Sequence, residues 1–339
     1  MLRIAIMGAG GWGTALSIVA GRAGREVRLW SRNAAVVETI ERERVNRVYL
    51  DSYEIPSSVR ATTDARAALD GAELVILAAP SHATRALLEA IAGHVRAEMI
   101  FVSATKGIEI ETGERISQIV ADVLGRRMRA PRFVCLSGPS FAKEVAAGQP
   151  TAVVAASDDA ESAASVQSEL SGPQFRVYTN DDVAGTEIGG ASKNVMAIAA
   201  GIVAGLGFGA NSVAALITRG LAEMTRLALA EGARVETLMG LAGLGDLVLT
   251  CTGSLSRNRY VGQELGRGRA LDEVLDGMNE VAEGVRTTRA LQLLAGRRGV
   301  EMPITGEVYA VLYEGKDARA AASELMSRPL RGEFEGIKV

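Results

Sequence analysis

The sequence predicts an α/β protein, in which an N-terminal Rossmann-type domain with a mostly parallel sheet is followed by an all-α C-terminal domain. In the first half, short β-branched runs alternate with helical runs, as in parallel strands joined by crossover helices. Beyond residue 180 the chain is rich in Ala, Leu, Gly and Met at helical spacing. A chain of 339 residues also exceeds the usual size of one hydrophobic core. We therefore expect two domains, 1–180 and 181–339.

The strands of the first domain are expected where β-branched and apolar residues cluster. The boundary between the domains reads as a turn capped by Asn180 or Asp181. In the second half, the apolar stretch 195–206 is too short and too interrupted for a membrane span, so we expect a buried helix there. The predicted strands are 3–7, 26–30, 74–78, 100–103 and 133–137, with 152–156 and 175–178 extending the sheet.

Composition excludes several classes of partner. The formal net charge of -3 and the pI near 5.7 give no basic field that would hold nucleic acid or an anionic membrane. Cys135 and Cys251 are too few for a disulfide framework and suit a reducing compartment. Because the first residues also lack a signal-peptide pattern, we expect a cytoplasmic protein.

A glycine motif follows the first predicted strand directly and opens a helical run at residues 14–23. Gly8 suits the tight turn, Gly10 lets backbone amides approach a pyrophosphate, and Gly13 lets the helix pack on the strand. The helix N-terminus adds partial positive charge for the phosphates. The motif therefore predicts dinucleotide binding by the first domain.

The end of the second predicted strand discriminates between nicotinamide cofactors. An acidic residue there would bind the ribose 2′-hydroxyl of NAD, but residues 29–33 contain neither Asp nor Glu. Arg32 can instead pair with a 2′-phosphate through its planar guanidinium. The sequence therefore favours NADPH, with use of NADH left open.

Residue types narrow the chemistry that can accompany hydride transfer. Two His and two Cys without ligand spacing exclude a catalytic zinc site, and no metal is expected. None of the six tyrosines has a lysine four residues later, which excludes the Tyr-x-x-x-Lys arrangement. His82, just past a predicted strand, stays open as a base, with helix capping as the alternative.

Lys193 is the stronger candidate for proton exchange. It lies within an apolar helical run, where burial would lower the pKa of its ammonium toward the working pH. Gly189 and Gly190 precede it by one helical turn and are expected to leave room for a substrate. Asn194 could orient neighbouring groups.

A second polar cluster follows Asp246 in the otherwise apolar half. Its Ser256, Arg257 and Asn258 offer donors and charge suited to a phosphate, although a loop with a capping serine is the simpler alternative. Cys251, which lies between Asp246 and Ser256, is expected to be buried rather than nucleophilic.

Two predicted strand ends in the first half carry further candidates. Lys106 follows one of them, where it could hold an anionic substrate. The run 137–144 repeats the pattern of a strand followed by glycine, so its backbone could approach a ligand. Each of these segments could also be an ordinary turn.

Together these segments resemble the bacterial NAD(P)-dependent glycerol-3-phosphate dehydrogenase family over nearly the whole chain. Gly11 departs from the serine that is common there, without touching the predicted proton or phosphate chemistry. The runs that carry the resemblance are Gly8-Ala-Gly-Gly-Trp-Gly-Thr-Ala15, Pro80-Ser-His82, Ala104-Thr-Lys-Gly107, Ser137-Gly-Pro-Ser-Phe-Ala-Lys-Glu144, Lys193-Asn194, Gly207-Phe-Gly-Ala-Asn211, Thr218-Arg-Gly-Leu-Ala-Glu223, Gly243-Leu-Gly-Asp246 and Ser256-Arg-Asn258.

The resemblance implies reversible reduction of dihydroxyacetone phosphate to sn-glycerol 3-phosphate, which supplies glycerophospholipid synthesis. It makes Lys193 the proton-exchanging residue. Substrate contacts fall on Lys106, Gly138, Ser140, Lys193, Asp246, Ser256, Arg257 and Asn258. Cofactor contacts fall on Gly8, Gly10, Gly11, Trp12, Gly13, Arg32, Asn33, Lys106, Ala142, Arg257, Val281 and Glu283.

Two rival functions and one assembly remain open at this stage. A β-hydroxyacid dehydrogenase also joins a nucleotide-binding domain to a helical domain with a lysine, but it would accept a carboxylate rather than a phosphate. A catalytically silent NADPH sensor would need no proton-exchanging site. A homodimer is compatible with the apolar helical half, and the sequence does not locate its interface.

Overall fold

The computed structural model describes residues 2–278, 282–333 and 335–336. The chain forms two compact units. The first contains the residues up to Thr105 together with Ile116–Val183, and the second contains Lys106–Arg115 together with the described residues from Ala184 onward. The sequence analysis placed its boundary three residues earlier, and it did not separate residues 106–115 from the first domain.

The first unit is built on one eight-stranded sheet in the order β3-β2-β1-β4-β5-β6-β7-β8. All neighbouring strands run parallel except β6 and β7, which are antiparallel. The order reverses between β1 and β4, which is where ligands bind in sheets of this kind. The strands are β1 (Arg3–Met7), β2 (Glu26–Trp30), β3 (Val59–Thr62), β4 (Leu74–Leu77), β5 (Ile100–Ser103), β6 (Arg132–Ser137), β7 (Thr151–Ala156) and β8 (Phe175–Asn180).

Because side chains alternate along each strand, apolar residues lie on both faces of this sheet. Ile4 and Ile6 of β1 pack in one hydrophobic cluster, whereas Ala5 and Met7 pack in another. The helices that cover the faces are α1 (Gly11–Arg22), α2 (Ala34–Glu43), α3 (Ala65–Leu69), α4 (Ser81–Ile91), α5 (Ile116–Gly125), α6 (Ala142–Ala146) and α7 (Ala160–Leu170), with a 3₁₀ turn at Ala92–His94.

Among the described residues of the second unit, the regular elements are helices, apart from one isolated β-bridge between Ile108 and Arg115. A π-helical turn at Leu241–Gly245 leads directly into α11. The helices are α8 (Val183–Gly205), α9 (Ala210–Ala230), α10 (Val235–Met239), α11 (Asp246–Thr252), α12 (Arg257–Gly266), α13 (Leu271–Asp276), α14 (Glu283–Arg298), α15 (Pro303–Tyr313) and α16 (Ala318–Ser327).

Helices α8 and α12 approach each other closely because glycines line both surfaces. A Cβ atom on Gly201 would lie 2.1 Å from the carbonyl oxygen of Arg259, and one on Gly262 would lie 1.9 Å from that of Ile198. Any side chain at either position would force the helices apart. This contact places the first part of α12 against the C-terminal half of α8.

Helix α8 is longer than the sequence analysis allowed. Its 23 residues are long and apolar enough to cross a membrane by length and composition, so the argument from a short stretch was wrong. Within the protein, however, 83% of its most apolar window is buried. The helix therefore forms the core of the second unit, as the sequence analysis expected.

The seven predicted strands are all present, with ends that shift by up to two residues. Strand β3 was not predicted, because Val59–Thr62 has only four residues and one fully buried side chain. At the junction of the units, the side chain of Asn180 accepts a hydrogen bond from the amide of Asp182 at 2.8 Å, which matches the expected turn.

Candidate active site

The glycine turn after β1 is shaped by close contacts. Gly8 has a φ of +127°, and a Cβ there would lie 2.8 Å from the carbonyl oxygen of Ala78, just beyond β4. A Cβ on Gly13 would lie 1.8 Å from the carbonyl oxygen of Gly8. At Gly10, by contrast, a Cβ would meet nothing within 4 Å. The first and third glycines therefore let α1 pack on the strand, and the second keeps open space in front of the turn.

This open space lies at the N-terminus of α1, where an anion can bind. Gly10 caps the helix without a side-chain hydrogen bond, so no side chain occupies the first amides, which belong to Gly11 and its successors. The indole nitrogen of Trp12 is buried and has no hydrogen-bond partner in the described part of the chain. An uncapped helix start fits the pyrophosphate of a dinucleotide.

A residue outside the motif braces this turn. Asn46 is fully buried, and its side-chain amide donates hydrogen bonds to the carbonyl oxygen of Ala9 at 2.9 Å and to the hydroxyl of Thr14 at 2.8 Å. The sequence analysis missed Asn46, because an asparagine 32 residues beyond Thr14 carries no local signal.

Arg32 and Asn33 follow the carboxyl end of β2. Arg32 is exposed. Asn33 caps α2, because its side chain accepts a hydrogen bond from the amide of Ala35 at 3.0 Å. Arg32 is therefore the exposed cation at the position where a ribose 2′-substituent would be read.

The turn between β6 and α6 contains three predicted contacts. Gly138 has a φ of +134°, and a Cβ there would lie 2.9 Å from the Cα of Val153. The hydroxyl of Ser140 donates to the carbonyl oxygen of Gly138 at 2.9 Å, and Ala142 begins α6. Close strand packing thus explains the glycine locally, and the ligand contacts at this turn stay predictions.

In the second unit, the ammonium groups of two lysines meet at one buried carboxylate. The ammonium nitrogen of Lys193 lies 2.7 Å from Asp246 Oδ1, and that of Lys106 lies 2.7 Å from Asp246 Oδ2. Lys193 also donates to the hydroxyl of Thr250 at 2.8 Å. Lys193 and Asp246 are almost inaccessible, at 7% and 1% exposed. We call these four residues the lysine–aspartate cluster.

Burial controls the protonation of this cluster. Burial and the nearby charge of Lys106 lower the pKa of Lys193 to about 8, although Asp246 opposes the shift. Burial alone would raise the pKa of Asp246, but the two ammonium groups outweigh this and hold it below its usual range. Lys193 can therefore exchange a proton near neutral pH beside a permanent carboxylate.

The backbone explains how these side chains come together. Asp246 is the first residue of α11, and Thr250 lies one turn later on the same face. The turn before α11 packs on α8 at Gly189, where a Cβ would lie 2.7 Å from the carbonyl oxygen of Ala242. The expectation that Gly189 leaves room for a substrate is therefore wrong, because the protein's own backbone fills that space.

Asn258 links the start of α12 to two other helices. Its side-chain nitrogen donates to Asn194 Oδ1 at 3.0 Å, and its side-chain oxygen accepts from the amide of Gly284 at 2.9 Å. A Cβ on Gly284 would lie 2.6 Å from the carbonyl oxygen of Asn194. Asn258 therefore ties the residue after Lys193 to the first turn of α14.

The remaining predicted residues of the second unit lie at helix starts. Ser256 caps α12 by accepting a hydrogen bond from the amide of Arg259 at 3.2 Å, so the alternative of a capping serine is confirmed. Arg257 is exposed at the first position of α12, and Glu283 begins α14. Val281 lies outside the described residues. Ser256 can still donate its hydroxyl proton to a ligand.

The other candidates from the sequence are placed as follows. Cys251 is buried, as expected, and burial raises the pKa of its thiol to about 12, which disfavours the nucleophilic thiolate. His82 is exposed near the start of α4. Thr250 was missed, although its spacing of four residues from Asp246 on a helix could have indicated it. No group of three or more metal-ligating side chains occurs within residues 2–278, 282–333 and 335–336.

A mostly parallel sheet with a glycine turn at its switch point, joined to a helical unit with a buried lysine–aspartate cluster, defines a nicotinamide-dinucleotide dehydrogenase. The family models agree with this class. Residues 3–163 match the N-terminal part of NAD-dependent glycerol-3-phosphate dehydrogenase and residues 182–323 match its C-terminal part. The chain belongs to this family of NAD(P)-dependent oxidoreductases.

Individual relatives support this assignment. A protein of Koribacter versatilis named glycerol-3-phosphate dehydrogenase, NAD(P)+, is 56% identical over 331 residues, covering 97% of this chain and 98% of its own. One of Acidobacterium capsulatum with the same name is 54% identical over 338 residues, covering 98% and 100%. The crystal structure of glycerol-3-phosphate dehydrogenase from Coxiella burnetii superposes with a TM-score of 0.92 at 42% identity, covering 96% of this chain and 99% of that one.

Proposed function

We propose that this chain catalyses the reversible NAD(P)H-dependent reduction of dihydroxyacetone phosphate to sn-glycerol 3-phosphate, and thereby supplies glycerophospholipid synthesis. The buried lysine–aspartate cluster is the observation that carries the proposal, because ketone reduction needs a proton donor beside the developing alkoxide. The substrate is inferred from the family to which the chain belongs. Residues 1–180 are assigned to dinucleotide binding and 181–339 to substrate binding.

The proton is the part of the reaction that this chain supplies. A bound nicotinamide cofactor provides the hydride, which is added to the C2 carbonyl carbon. Lys193 donates its proton to the carbonyl oxygen as negative charge develops there, and in the oxidative direction its neutral amine takes that proton back. Asp246 holds the ammonium in place and keeps its charge available.

The phosphate of the substrate is assigned to the start of α12. Arg257 is exposed there, and the helix N-terminus with the Ser256 hydroxyl adds further donors for an anion. Of the three residues expected from the sequence to bind substrate at this point, which are Ser256, Arg257 and Asn258, Asn258 has both ends of its side-chain amide engaged with protein. We therefore propose that Asn258 shapes the phosphate site and that Arg257 makes the charged contact.

The central experiment compares the wild-type chain with Lys193→Met in an assay of NADPH oxidation. The wild-type chain should oxidise NADPH only when dihydroxyacetone phosphate is added. Loss of general acid catalysis typically costs about 10²–10⁴-fold, so Lys193→Met should lose activity to that extent. NADPH affinity, measured by fluorescence titration, should stay within about twofold.

Three outcomes would contradict this proposal. Faster turnover of hydroxyisobutyrate-type acids than of glycerol 3-phosphate would make the chain a β-hydroxyacid dehydrogenase. NADPH binding without substrate-dependent oxidation would make it a sensor. Full activity of Lys193→Met would remove the lysine from the mechanism.

We further propose that NADPH is preferred over NADH. The exposed Arg32 beyond β2 and the absence of an acid in residues 31–33 support this preference. One charge-assisted hydrogen bond contributes about 1.5–3 kcal/mol, so Arg32→Ala should lower kcat/KM for NADPH about 10- to 100-fold. The value for NADH should stay constant, and the exposed Arg42→Ala serves as the control. An equal loss with both cofactors would refute the preference.

We also propose a cytoplasmic homodimer without a membrane span. Cys135 and Cys251 are buried and too few for a disulfide framework, which suits a reducing compartment. In addition, 83% of the apolar window of α8 is covered by protein. Exposed apolar side chains such as Met239 and Leu255 offer surface for self-association. Fractionation and analytical ultracentrifugation test these points, and a monomer at micromolar concentration would contradict the dimer.

A further inference from the structure

Residues 106–115 form a hairpin that belongs to the second unit, although the chain enters it from β5 and leaves it into α5 of the first unit. Ile108 and Arg115 pair across it in an antiparallel bridge. The amide of Glu109 donates to the carbonyl oxygen of Glu114 at 3.0 Å. Lys106 is therefore the first residue of the hairpin and Arg115 is its last.

Arg115 fixes this hairpin to two helices of the second unit. Its guanidinium lies 2.8 Å from a carboxylate oxygen of Glu187 in α8 and 3.6 Å from one of Glu231, the C-cap residue that follows α9. Glu231 also pairs with Arg298 at 2.6 Å. The side chain of Arg115 is 14% exposed and both glutamates are 4% exposed. Buried pairs of this kind are costly to break, because a charge is left without its partner.

Two further contacts hold the rest of the hairpin. Ile108 is buried in the hydrophobic core of the second unit. At the tip, the guanidinium of Arg297 in α14 donates to the carbonyl oxygen of Thr112. The hairpin is therefore anchored at three residues: at Ile108 by the hydrophobic core, at Thr112 by the hydrogen bond at the tip, and at Arg115 by its ion pairs.

We propose that Arg115 is a positioning residue for the reaction, which anchors the hairpin to α8 and α9 and thereby holds the ammonium group of Lys106 against Asp246. The inference rests on the proposed function for the statement that Lys106 serves the reaction. The geometric reason is that Arg115 pairs with Ile108, which is two residues from Lys106. A flexible lysine side chain can keep a 2.7 Å contact to a buried carboxylate only if its backbone is fixed.

The position of Lys106 has an effect on Lys193 that can be measured. The charged or titratable groups that act on Lys193 are Asp246 and Cys251 of α11 and Lys106 of the hairpin. The charge of Lys106 lowers the pKa of Lys193. If the hairpin loosens and this charge moves away, the pKa of Lys193 must rise.

The test uses the full chain and charge-balanced variants. Arg115→Met combined with Glu187→Gln removes the anchor without stranding the nearest carboxylate, and Arg115→Lys restores a cation. Arg297→Gln loosens the tip independently, should the double variant fold poorly. Lys316→Met is the control, because it removes another ion pair of the second unit, 2.6 Å from Glu307, away from the hairpin.

Three readouts follow the effect from the hairpin to the substrate. Hydrogen exchange of residues 106–115 should accelerate in the double variant and in Arg297→Gln. The pH midpoint for acetylation of Lys193, measured by peptide mapping without substrate, should move upward from about 8. The KM for dihydroxyacetone phosphate should rise about tenfold, equivalent to about 1.4 kcal/mol, with a smaller change in kcat. Arg115→Lys should restore most of each value.

A merely structural role predicts a different pattern. In that case the double variant and Arg297→Gln lose thermal stability, while their Lys193 midpoint and their KM for dihydroxyacetone phosphate stay equal to those of the Lys316→Met control. That result would refute the positioning role. The exchange and acetylation measurements need no turnover. They therefore decide on the anchoring of Lys106 even if the wild-type chain fails to reduce dihydroxyacetone phosphate, which would refute the proposed function alone.

Discussion

Replacement of Lys106 by methionine tests the electrostatics of the lysine–aspartate cluster directly. Both ammonium groups lie 2.7 Å from oxygens of the same Asp246 carboxylate, which puts their nitrogens about 5–8 Å apart. At an effective dielectric constant of about 20, two unit charges at that distance repel by about 2–3 kcal/mol, or about 1.5–2.5 pH units. Lys106→Met should therefore raise the pKa of Lys193 from about 8 by at least about one unit.

The assay is the pH profile of kcat/KM for dihydroxyacetone phosphate with saturating NADPH. Reduction needs the protonated amine, so kcat/KM should be constant below the pKa of Lys193 and fall tenfold per pH unit above it. Lys106→Met should lower kcat/KM at every pH, because a contact to the substrate is lost. The upward movement of the midpoint reports separately on the removal of the Lys106 charge.

Asp246→Asn is the companion variant with the opposite sign. The carboxylate raises the pKa of Lys193, so its removal should move the midpoint below about 8. Glycerol 3-phosphate oxidation needs the neutral amine, and its profile should rise through the same midpoint as the reductive profile falls. A midpoint that stays in place in both variants would refute the electrostatic account.

The other predictions concern packing. Gly13→Ala should destabilise the free protein severely, because its Cβ would overlap the backbone at 1.8 Å. Gly10→Ala should keep the wild-type melting temperature but bind NADPH at least about tenfold more weakly. Equal melting temperatures of the two variants would contradict this prediction. Gly284→Ala should raise the KM for NADPH several-fold, because its Cβ would lie 2.6 Å from the Asn194 carbonyl oxygen and displace the start of α14; an unchanged KM would show that α14 does not serve the cofactor. Glu223→Ala should lower the free energy of unfolding in urea by about 3–5 kcal/mol, because Glu223 is fully buried and accepts three hydrogen bonds at the start of α15; a loss below about 1 kcal/mol would contradict that role.

Local sequence signals were sufficient for most of the first unit. Seven strands were predicted because short β-branched and apolar runs alternate with helical runs, and such runs are a property of neighbouring residues. Strand β3 was missed for the same reason, since a four-residue edge strand has too few apolar residues to stand out. Lys193 was identified because an ammonium group inside an apolar helical run is unusual wherever the chain folds.

The partners of these residues depend on contacts between distant parts of the chain. Asn46 braces the glycine turn from 32 residues away, and Lys193 donates a hydrogen bond to Thr250 across 57 residues, so neither contact is visible in the sequence, although the spacing of Thr250 from Asp246 is. The sequence predicts space for a substrate at Gly189, and only the packed structure shows that the backbone of Ala242 fills this space.

The sequence by itself determined the class of fold, the dinucleotide motif and the lysine that we propose for proton exchange, because periodicity and motif context act over a few residues. Only the tertiary structure assigned residues 106–115 to the second unit and brought Lys106 and Lys193 to opposite oxygens of Asp246. The physical reason is that the pKa of Lys193 depends on burial and on charges 87 and 53 residues away, at Lys106 and Asp246, which meet it only after the helices have packed.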